Sequence, residues 1–298
     1  MKNIYFSILL CLFGLNAALS QDLQQLESSI DSMFASEKGN FAIAFRDLSS
    51  SNIELFKNEH ENFHAASTMK TPVMIEVYRQ AKEGKFNLED SLIIKNEFKS
   101  ILDGSPFSLD ISRDGGEKLY EHLGEKTSID SLVRDMIIHS SNLATNIVIE
   151  LVGAQNVNQS MRALGAAKMN VLRGVEDMTA YDAGLNNSVT AYDLMILFEH
   201  LGKGTAVDPA ADKEMINILF DQNHREIIPA LLPPHIKIAN KTGMITGVHH
   251  DSALIFLPGG RKYVLVLLSK NMEDMDCGTQ MLAKVSRLVY EFMEENKD

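Results

Sequence analysis

The chain has 298 residues, 45% of them hydrophobic, and carries a formal net charge of -12 at pH 7. An acidic chain of this kind argues against nucleic acid or an anionic membrane surface as its main partner. It contains 2 cysteines and neither a C-x-x-C nor an H-E-x-x-H pattern, so we expect no structural or catalytic metal and no cofactor.

Residues 1–20 have the pattern of a secretory signal peptide. Lys2 precedes an apolar run from Ile4 to Leu15, and Ala18-Leu19-Ser20 is a small-residue cleavage site. The run is shorter than the roughly 20 residues that a membrane helix needs. We therefore expect an exported protein, periplasmic or secreted, that is monomeric and has no stable membrane insertion after signal removal. Cys277 is then the only cysteine, so no intrachain disulfide forms and a hydrophobic core must supply the stability.

The mature chain begins with an amphipathic pattern and then a hairpin. Apolar residues recur at helical spacing over 23–34, and two strand-like runs at 41–45 and 53–56 flank a Ser-rich turn at 47–52. A helical run that starts near Ser67 follows, and then a polar, irregular stretch that extends through Asp114-Gly115-Gly116.

The middle of the chain has helical periodicity, whereas the C-terminal part returns to strands. Predicted helices cover 128–139, 142–152, 157–164, 190–201 and 209–220, and the aperiodic stretch 173–188 is predicted as a long loop. Strands are predicted at 236–239, 252–257 and 263–268, with Gly259-Gly260 as the second connection and a last helix over about 279–293.

This order of elements predicts an α/β fold of the α+β type. An antiparallel sheet built from the N- and C-terminal segments is expected to be flanked by helices, with an all-helical lobe formed by the middle of the chain. After the signal peptide, residues 21–298 then form one catalytic domain. Its α/β lobe covers about 21–66 and 230–298, and its helical lobe about 67–229.

Ser67-Thr68-Met69-Lys70 is the first candidate for chemistry. A serine and a lysine three residues apart on a helix share a face, so the amine can reach and activate the hydroxyl. Two common residues at one offset are weak support alone, and a surface pair on a helix is the alternative.

Two further motifs stand in suggestive places. Ser140-Ser141-Asn142 lies between two predicted helices, where either serine is also suited to cap the second helix. Lys241-Thr242-Gly243 directly follows the strand predicted at 236–239, where an ordinary strand-end turn is the alternative. Glycine there would also let a substrate backbone approach the strand edge.

Ser-x-x-Lys, Ser-x-Asn and Lys-Thr-Gly, in this order, resemble the motifs of the penicillin-recognising serine enzymes, most closely the class A β-lactamases. The resemblance runs from the hairpin at Phe41 to the final helix and includes the longer blocks 63–70 and 139–146. It implies that a β-lactam or a cell-wall peptide is the small-molecule substrate.

The resemblance also implies a role for each motif residue. Ser67 would attack the lactam carbonyl with the help of Lys70, and Ser140 would pass a proton to the leaving nitrogen, assisted by Lys241. The substrate-binding residues it implies are Asn142 for the amide side chain, Thr242 for the carboxylate, Gly243 at the strand edge, and the N–H groups of Ser67 and Met244 as an oxyanion hole.

Glu176, in the long loop, is the base that the resemblance suggests for releasing the acyl group, with Asp177 as a substitute. The loop departs from the class A pattern. Two residues separate Arg173 from Glu176, position 180 is alanine, and the loop ends in Asn186-Asn187 where an aspartate that pairs with the arginine is expected.

Other departures keep alternatives open. Ser141 replaces the usual aspartate of the second motif, and no arginine stands on the strand after Lys241-Thr242-Gly243. His249 and His250 follow instead, of which only one can face a pocket, and neither is assigned to the site. Besides a serine β-lactamase, we therefore retain a D-alanyl-D-alanine carboxypeptidase or related serine hydrolase, and a lactam-binding sensor that does not turn over. Cys277 is interpreted as a bystander.

Overall fold

The computed structural model describes residues 2–49 and 53–296, with side chains from residue 19 onward. The helices are α1 (Lys2–Ser36), α2 (Lys70–Lys82), α3 (Ile129–Ile138), α4 (Asn142–Val152), α5 (Ala154–Ala163), α6 (Met178–Asp182), α7 (Ala191–Lys203), α8 (Pro209–Phe220) and α9 (Met275–Glu295). The strands are β1 (Asn40–Asp47), β2 (Glu54–Lys57), β3 (Phe63–His64), β4 (Ser91–Ile93), β5 (Phe98–Lys99), β6 (Pro106–Phe107), β7 (Lys126–Ser128), β8 (Ser188–Val189), β9 (Lys237–Ile245), β10 (Val248–Phe256) and β11 (Lys262–Lys270).

Within the described residues, the main sheet joins the two ends of the chain. Its strand order is β2-β1-β11-β10-β9, and every neighbouring pair is antiparallel. Strand β1 pairs with β11, so that Phe41 lies opposite Ser269 across more than two hundred residues of chain. The predicted fold class is confirmed. Strand β9 stands at one edge of the sheet, where one side of its backbone is not used by a neighbouring strand.

Both faces of the sheet are buried, which explains its continuous apolar strands. Alternate residues of β1 divide between two cores: Ile43 and Phe45 pack with α1 and α9, whereas Ala42 and Ala44 face the helices of the middle segment. Helix α7 lies against β1, β10 and β11 on that second face. The sheet thus packs against the helices of the middle segment, which carry the first and second motifs, while β9 carries the third.

The strand that carries the third motif is longer than predicted. Strand β9 continues through Lys241-Thr242-Gly243 to Ile245, so the motif lies inside the strand and the strand-end turn is wrong. The second half of this strand was not predicted because it contains buried polar residues such as Asn240 and Lys241, and polar composition usually indicates a turn. The middle of the chain also contains short strand pairs, β4 with β7 and β5 with β6, beside its helices.

Two predicted segments lie partly outside the described residues. The Ser-rich turn at 47–52 includes residues 50–52, and the signal segment includes residue 1 and side chains before residue 19. In the described ranges, no helix combines the length and apolar character needed to cross a membrane.

Candidate active site

Ser67 lies on a tight turn rather than inside a regular α-helix. The turn Ala66–Met69 is a 3-10 helix, and Lys70 begins α2 directly after it. Residues three apart eclipse each other in a 3-10 helix, so Ser67 and Lys70 still share a face. Ala66 has a positive φ of 44°, and its N–H donates to Nδ1 of His64 at 3.0 Å. A strained backbone held by a side chain fixes the position of Ser67, the next residue.

Strand β9 lies directly against this turn. A Cβ atom added at Gly243 would come within 2.9 Å of the Ser67 nitrogen and 3.0 Å of the Thr68 nitrogen. Only glycine therefore allows the sheet edge to approach the N–H groups that precede α2. This contact brings the third motif beside the first.

The hydroxyl of Ser140 lies between two lysine amines. Nζ of Lys70 is 3.2 Å and Nζ of Lys241 is 3.0 Å from Ser140 Oγ. Lys70 also donates to the Ser140 carbonyl at 2.6 Å and to Oδ1 of Asn142 at 3.0 Å. Ser140 itself has a positive φ of 57°. A side chain in this position can exchange protons with either amine.

Both lysines are fully buried, and burial dominates their ionisation. Burial, and then the charge of Lys241, lower the pKa of Lys70 well below its usual value, against the opposing charges of Asp114 and Glu176. Burial lowers the pKa of Lys241 to about 7, although the charge of Asp251 acts in the opposite direction. Two ammonium groups beside one hydroxyl repel each other, so the site favours a neutral amine at Lys70.

Helix α4 presents the second motif at its N-terminus. Ser141 is the N-cap, and its hydroxyl accepts from the Ala144 N–H at 3.1 Å. Asn142 is the first helical residue and donates through Nδ2 to Oε1 of Glu176 at 3.3 Å. The capping alternative therefore applies to Ser141, while Ser140 and Asn142 face the site.

Glu176 is brought to this site by a clamped loop. The side chain of Asn146 accepts from the Val175 N–H at 2.6 Å and donates to its carbonyl at 3.0 Å. Glu176 has a positive φ of 61°, and its Oε2 accepts from the Asp110 N–H at 3.1 Å. Asp177 points elsewhere, because its carboxylate caps α6 at Ala180 and accepts from the Ile101 N–H at 2.9 Å.

The two ends of the loop 173–188 are joined by hydrogen bonds of side-chain amides, at the place where the resembled family has an ion pair. Arg173 donates to Oδ1 of Asn186 at 3.0 Å and to the carbonyls of Leu185 and Gly174. Asn187 accepts from the N–H groups of Leu172 and Arg173 and donates to the Met69 sulfur at 2.8 Å. Asn187 therefore ties the loop to the turn that carries Ser67.

Two adjoining cavities meet at Ser67. The first, of about 460 Å³, is lined by Glu176 and Arg173, and the second, of about 600 Å³, by Ser140 and Thr242. Ser67, Arg113, Asn142 and Met244 line both cavities. Lys70 and Lys241 lie buried beneath them, so the predicted residues come together, with only Asp177 turned away.

Several residues near the cavities were missed by sequence reasoning. His249 lines the second cavity and contacts Oγ1 of Thr279 through Nδ1 at 2.8 Å, whereas His250 is buried with Nε2 against the His64 carbonyl at 2.9 Å. The adjacency rule for strands said that only one could face the pocket, but not which. His224 and Asp114 also line the second cavity, and no local motif marks either.

Two remaining predictions concern metals and the free thiol. Among the described side chains, those of residues 19–49 and 53–296, no group of three or more from His, Cys, Asp or Glu is arranged to hold a metal ion. Cys277 is exposed in the first turn of α9, between Asp276 and Thr279, which line the second cavity, but it is not itself a lining residue.

The chain is similar to known proteins over almost its whole length. The family model described as the Beta-lactamase enzyme family matches residues 25–293. A beta-lactamase of Bacteroides uniformis is 23% identical over 306 residues, covering 97% of this chain and 99% of its own length. The crystal structure of a beta-lactamase from Sphaerobacter thermophilus DSM 20745 has a TM-score of 0.76 at 25% identity, covering 91% of this chain and 96% of its own. The structure of PBP-A has a similar fold, with a TM-score of 0.77 at 23% identity over 91% of this chain and 96% of its own.

Proposed function

Because the chain belongs to the beta-lactamase enzyme family, we propose that it is an exported, class A-like serine β-lactamase that hydrolyses the lactam amide through an acyl-enzyme on Ser67. One observation carries the proposal: the Ser140 hydroxyl lies between the amines of Lys70 and Lys241, at a cavity that Ser67 also lines. This arrangement supplies a nucleophile, a base and a leaving-group acid within one small volume.

Acylation begins at Ser67. Its Oγ attacks the lactam carbonyl carbon, and its proton passes to the neutral amine of Lys70. The carbonyl oxygen becomes an oxyanion, which the N–H groups of Ser67 and Met244 stabilise. The burial that lowers the pKa of Lys70 supports this step, because an ammonium group could not accept the proton.

The carbon–nitrogen bond then breaks. The ring nitrogen takes a proton from Ser140 Oγ, and the ammonium of Lys70 returns a proton to Ser140 across 3.2 Å. Lys241, 3.0 Å from the same oxygen, stabilises negative charge on it while the proton is in transit. Ser67 is left esterified and both lysines regain their starting states.

The substrate is held between the sheet edge and α4. Thr242 binds its carboxylate beside Lys241, and Asn142 binds its amide side chain. Gly243 lets the substrate backbone lie along β9, which presents unused backbone groups at the edge of the sheet. Fixing the substrate in this way converts attack into an intramolecular step.

Deacylation is assigned to Glu176. Its carboxylate takes a proton from a water molecule as the water oxygen attacks the ester carbon. The bond from that carbon to Ser67 Oγ then breaks, and the proton held by Glu176 passes to Ser67 Oγ. Support comes from the contact between Glu176 and Asn142 at 3.3 Å and from the cavity that Glu176 shares with Ser67. The loop thus brings a carboxylate to a cavity that Ser67 also lines.

The proposal is tested by incubating the mature protein with a chromogenic cephalosporin. We expect continuous turnover, with only a transient mass adduct on Ser67 and none in the Ser67→Ala variant. A stable adduct without turnover would contradict hydrolysis. Cleavage of the precursor after Ser20 upon secretion, read from the N-terminus of the exported protein, tests the export part of the proposal.

A cell-wall D-alanyl-D-alanine carboxypeptidase is the second candidate. Ser141 in the second motif and the fold shared with PBP-A favour it. Both reactions acylate Ser67, so they differ in the preferred substrate rather than in the first step. Rapid release of D-alanine from a muropeptide with negligible lactam hydrolysis would favour this candidate.

A further inference from the structure

A short loop from outside the three motifs lies against the second motif. Asp114 is buried in this loop, and its carboxylate accepts four hydrogen bonds. Oδ1 accepts from the N–H groups of Gly116 and Asn142, both at 2.8 Å. Oδ2 accepts from the Leu143 N–H at 2.7 Å and the Tyr120 hydroxyl at 2.9 Å.

The two glycines after Asp114 make this approach possible. A Cβ atom added at Gly115 would collide with the carbonyl oxygen of His139, and one added at Gly116 would collide with the side chain of Ser141. The loop backbone therefore touches the segment that carries Ser140 on both sides. Asp-Gly-Gly at 114–116 has a structural reason that no sequence motif indicated.

The Asp114 carboxylate accepts hydrogen bonds from N–H groups that have no acceptor within α4. The first N–H groups of a helix have no partner inside it, and a negative charge is favourable there. Ser141 is neutral and its hydroxyl reaches only the Ala144 N–H. The N–H groups of Asn142 and Leu143 are instead bound by Asp114.

We propose that Asp114 is a positioning residue that supplies, from a separate loop, the carboxylate absent from the middle of Ser-x-Asn, and so holds Ser140 and Asn142 in register with Lys70. This inference rests on the proposed function, since it concerns the rate at which Ser67 is acylated. Asp114 acts through the α4 N-terminus and does not touch the reacting atoms.

The charge of Asp114 also reaches Lys70. It raises the pKa of Lys70, as does Glu176, against burial and the charge of Lys241. Burial also raises the pKa of Tyr120 and of Asp135, and the charge of Asp114 adds to both effects. Removing the Asp114 charge should therefore lower the pKa of Lys70 further and extend its neutral form to lower pH.

The test is the Asp114→Asn variant, which keeps the shape of the side chain and removes its charge. Acylation is followed by stopped flow with a chromogenic cephalosporin, and the rate constant is normalised to the Ser67 that mass spectrometry finds acylable. We expect a decrease of about 10- to 100-fold, because a charge-assisted helix cap is lost and Asn142 shifts. The acid limb of the pH–rate profile should also move to lower pH.

Asp212→Asn is the matched control. Asp212 is equally buried and accepts from two backbone N–H groups, of Ala206 at 2.8 Å and Val207 at 2.9 Å, but it does not line either cavity. It should lower the unfolding midpoint without changing the normalised acylation rate or the pH profile. An Asp114→Asn variant that behaves in the same way would overturn the inference.

The wild-type protein offers a measurement that does not depend on a variant folding. Amide hydrogens at the start of a helix usually exchange quickly, but those of Asn142 and Leu143 should exchange slowly because Asp114 binds them. Fast exchange at both would overturn the inference. If wild-type Ser67 is not acylated by any lactam or muropeptide, the proposed function fails and the inference fails with it, whereas normal wild-type acylation isolates the Asp114 question.

Discussion

The side-chain amines of Lys70 and Lys241 both contact Oγ of Ser140. Exposed lysines repel each other only weakly, but here both amines are buried and approach Ser140 Oγ within 3.2 Å and 3.0 Å. The pKa of each is lowered mainly by burial. The lowered pKa values favour the neutral amine more than at a surface lysine, which is what the proposed base at Lys70 requires.

Glu176→Gln is the sharpest test at the level of single residues. The substitution removes the proposed base but keeps the side-chain shape and one oxygen that can accept from Asn142. We expect deacylation to slow by about 10²- to 10⁴-fold, the usual contribution of a general base, while acylation changes little. The measurement is the lifetime of the mass adduct on Ser67 after mixing with a lactam.

Asp177→Asn is the comparison for that experiment. Asp177 caps α6 and binds the Ile101 N–H, so its loss should destabilise the loop rather than remove a proton acceptor. Trapping of the acyl-enzyme by Asp177→Asn and not by Glu176→Gln would reverse the assignment of the base. An unchanged deacylation rate in Glu176→Gln would support the sensor that does not turn over.

At the scale of elements, the loop 173–188 is held by side-chain amides that bind backbone groups. Asn146 clamps Val175, immediately before Glu176, and a Cβ atom added at Gly174 would collide with the Asn146 side chain. Asn187 joins the other end of the loop to Met69. The loop therefore keeps a fixed path although it lacks the aspartate expected to pair with Arg173.

Asn146→Ala should act on the second half of the reaction. It frees the N–H and carbonyl of Val175 and lets the strained backbone of Glu176 relax away from Ser67. We expect deacylation to slow by about 10- to 100-fold with a smaller effect on acylation. Single-turnover kinetics separates the two rates.

Asn158→Ala provides the matched control for Asn146→Ala. Asn158 clamps Val171 in the same manner, at 2.8 Å to its N–H and 2.7 Å to its carbonyl, but outside the segment that bears Glu176. It should cost stability, about 1–3 kcal/mol for the exposed backbone partners, and leave deacylation nearly unchanged. Equal slowing by both variants would mean that loop stability in general, and not the position of Glu176, sets the rate.

At the scale of the whole molecule, the main sheet carries a buried ionisable residue, Asp251, beside the candidate site. Asp251 on β10 lies opposite Thr242 of β9, and burial raises its pKa to about 7. It accepts hydrogen bonds from Asn240, Ile228 and Ser252, which oppose that shift without cancelling it. Folding therefore moves the release of the Asp251 proton from about pH 3.9 in the unfolded chain to about pH 7.

Asp251→Asn should change how stability depends on pH. Between about pH 4 and 7, Asp251 holds a proton in the folded wild-type protein but not in the unfolded chain. The contribution of Asp251 to the free energy of unfolding is therefore complete below this interval and is lost as the pH rises through it. The slope is about 1.4 kcal/mol per pH unit. Unfolding free energies from denaturant titrations at several pH values should show a shallower decline in the variant. Parallel curves for the two proteins would contradict the raised pKa.

Much of this molecule could be predicted from local pattern. Helical and strand periodicity depends on neighbouring residues, so α4 and α8 have the predicted bounds and the sheet has the predicted N- and C-terminal strands. The three motifs are short and continuous, so the residues that meet at Ser67 could be named in advance. The strand through Lys241 was cut short, because its buried polar residues look like a turn until the partner strands are known.

What only the tertiary structure decided depends on contacts between distant segments. The carboxylate of Asp114 reaches α4 across 28 residues, and the Asn146 clamp reaches Val175 across 29. Burial, which lowers the pKa of Lys70 and Lys241, is likewise a property of the packed molecule and not of either residue. The sequence alone identified the candidate residues for the proposed chemistry, since residue type and local spacing are written in it. The tertiary structure decided how they are held and charged, because hydrogen-bond partners and solvent exclusion arise only when separate elements come together.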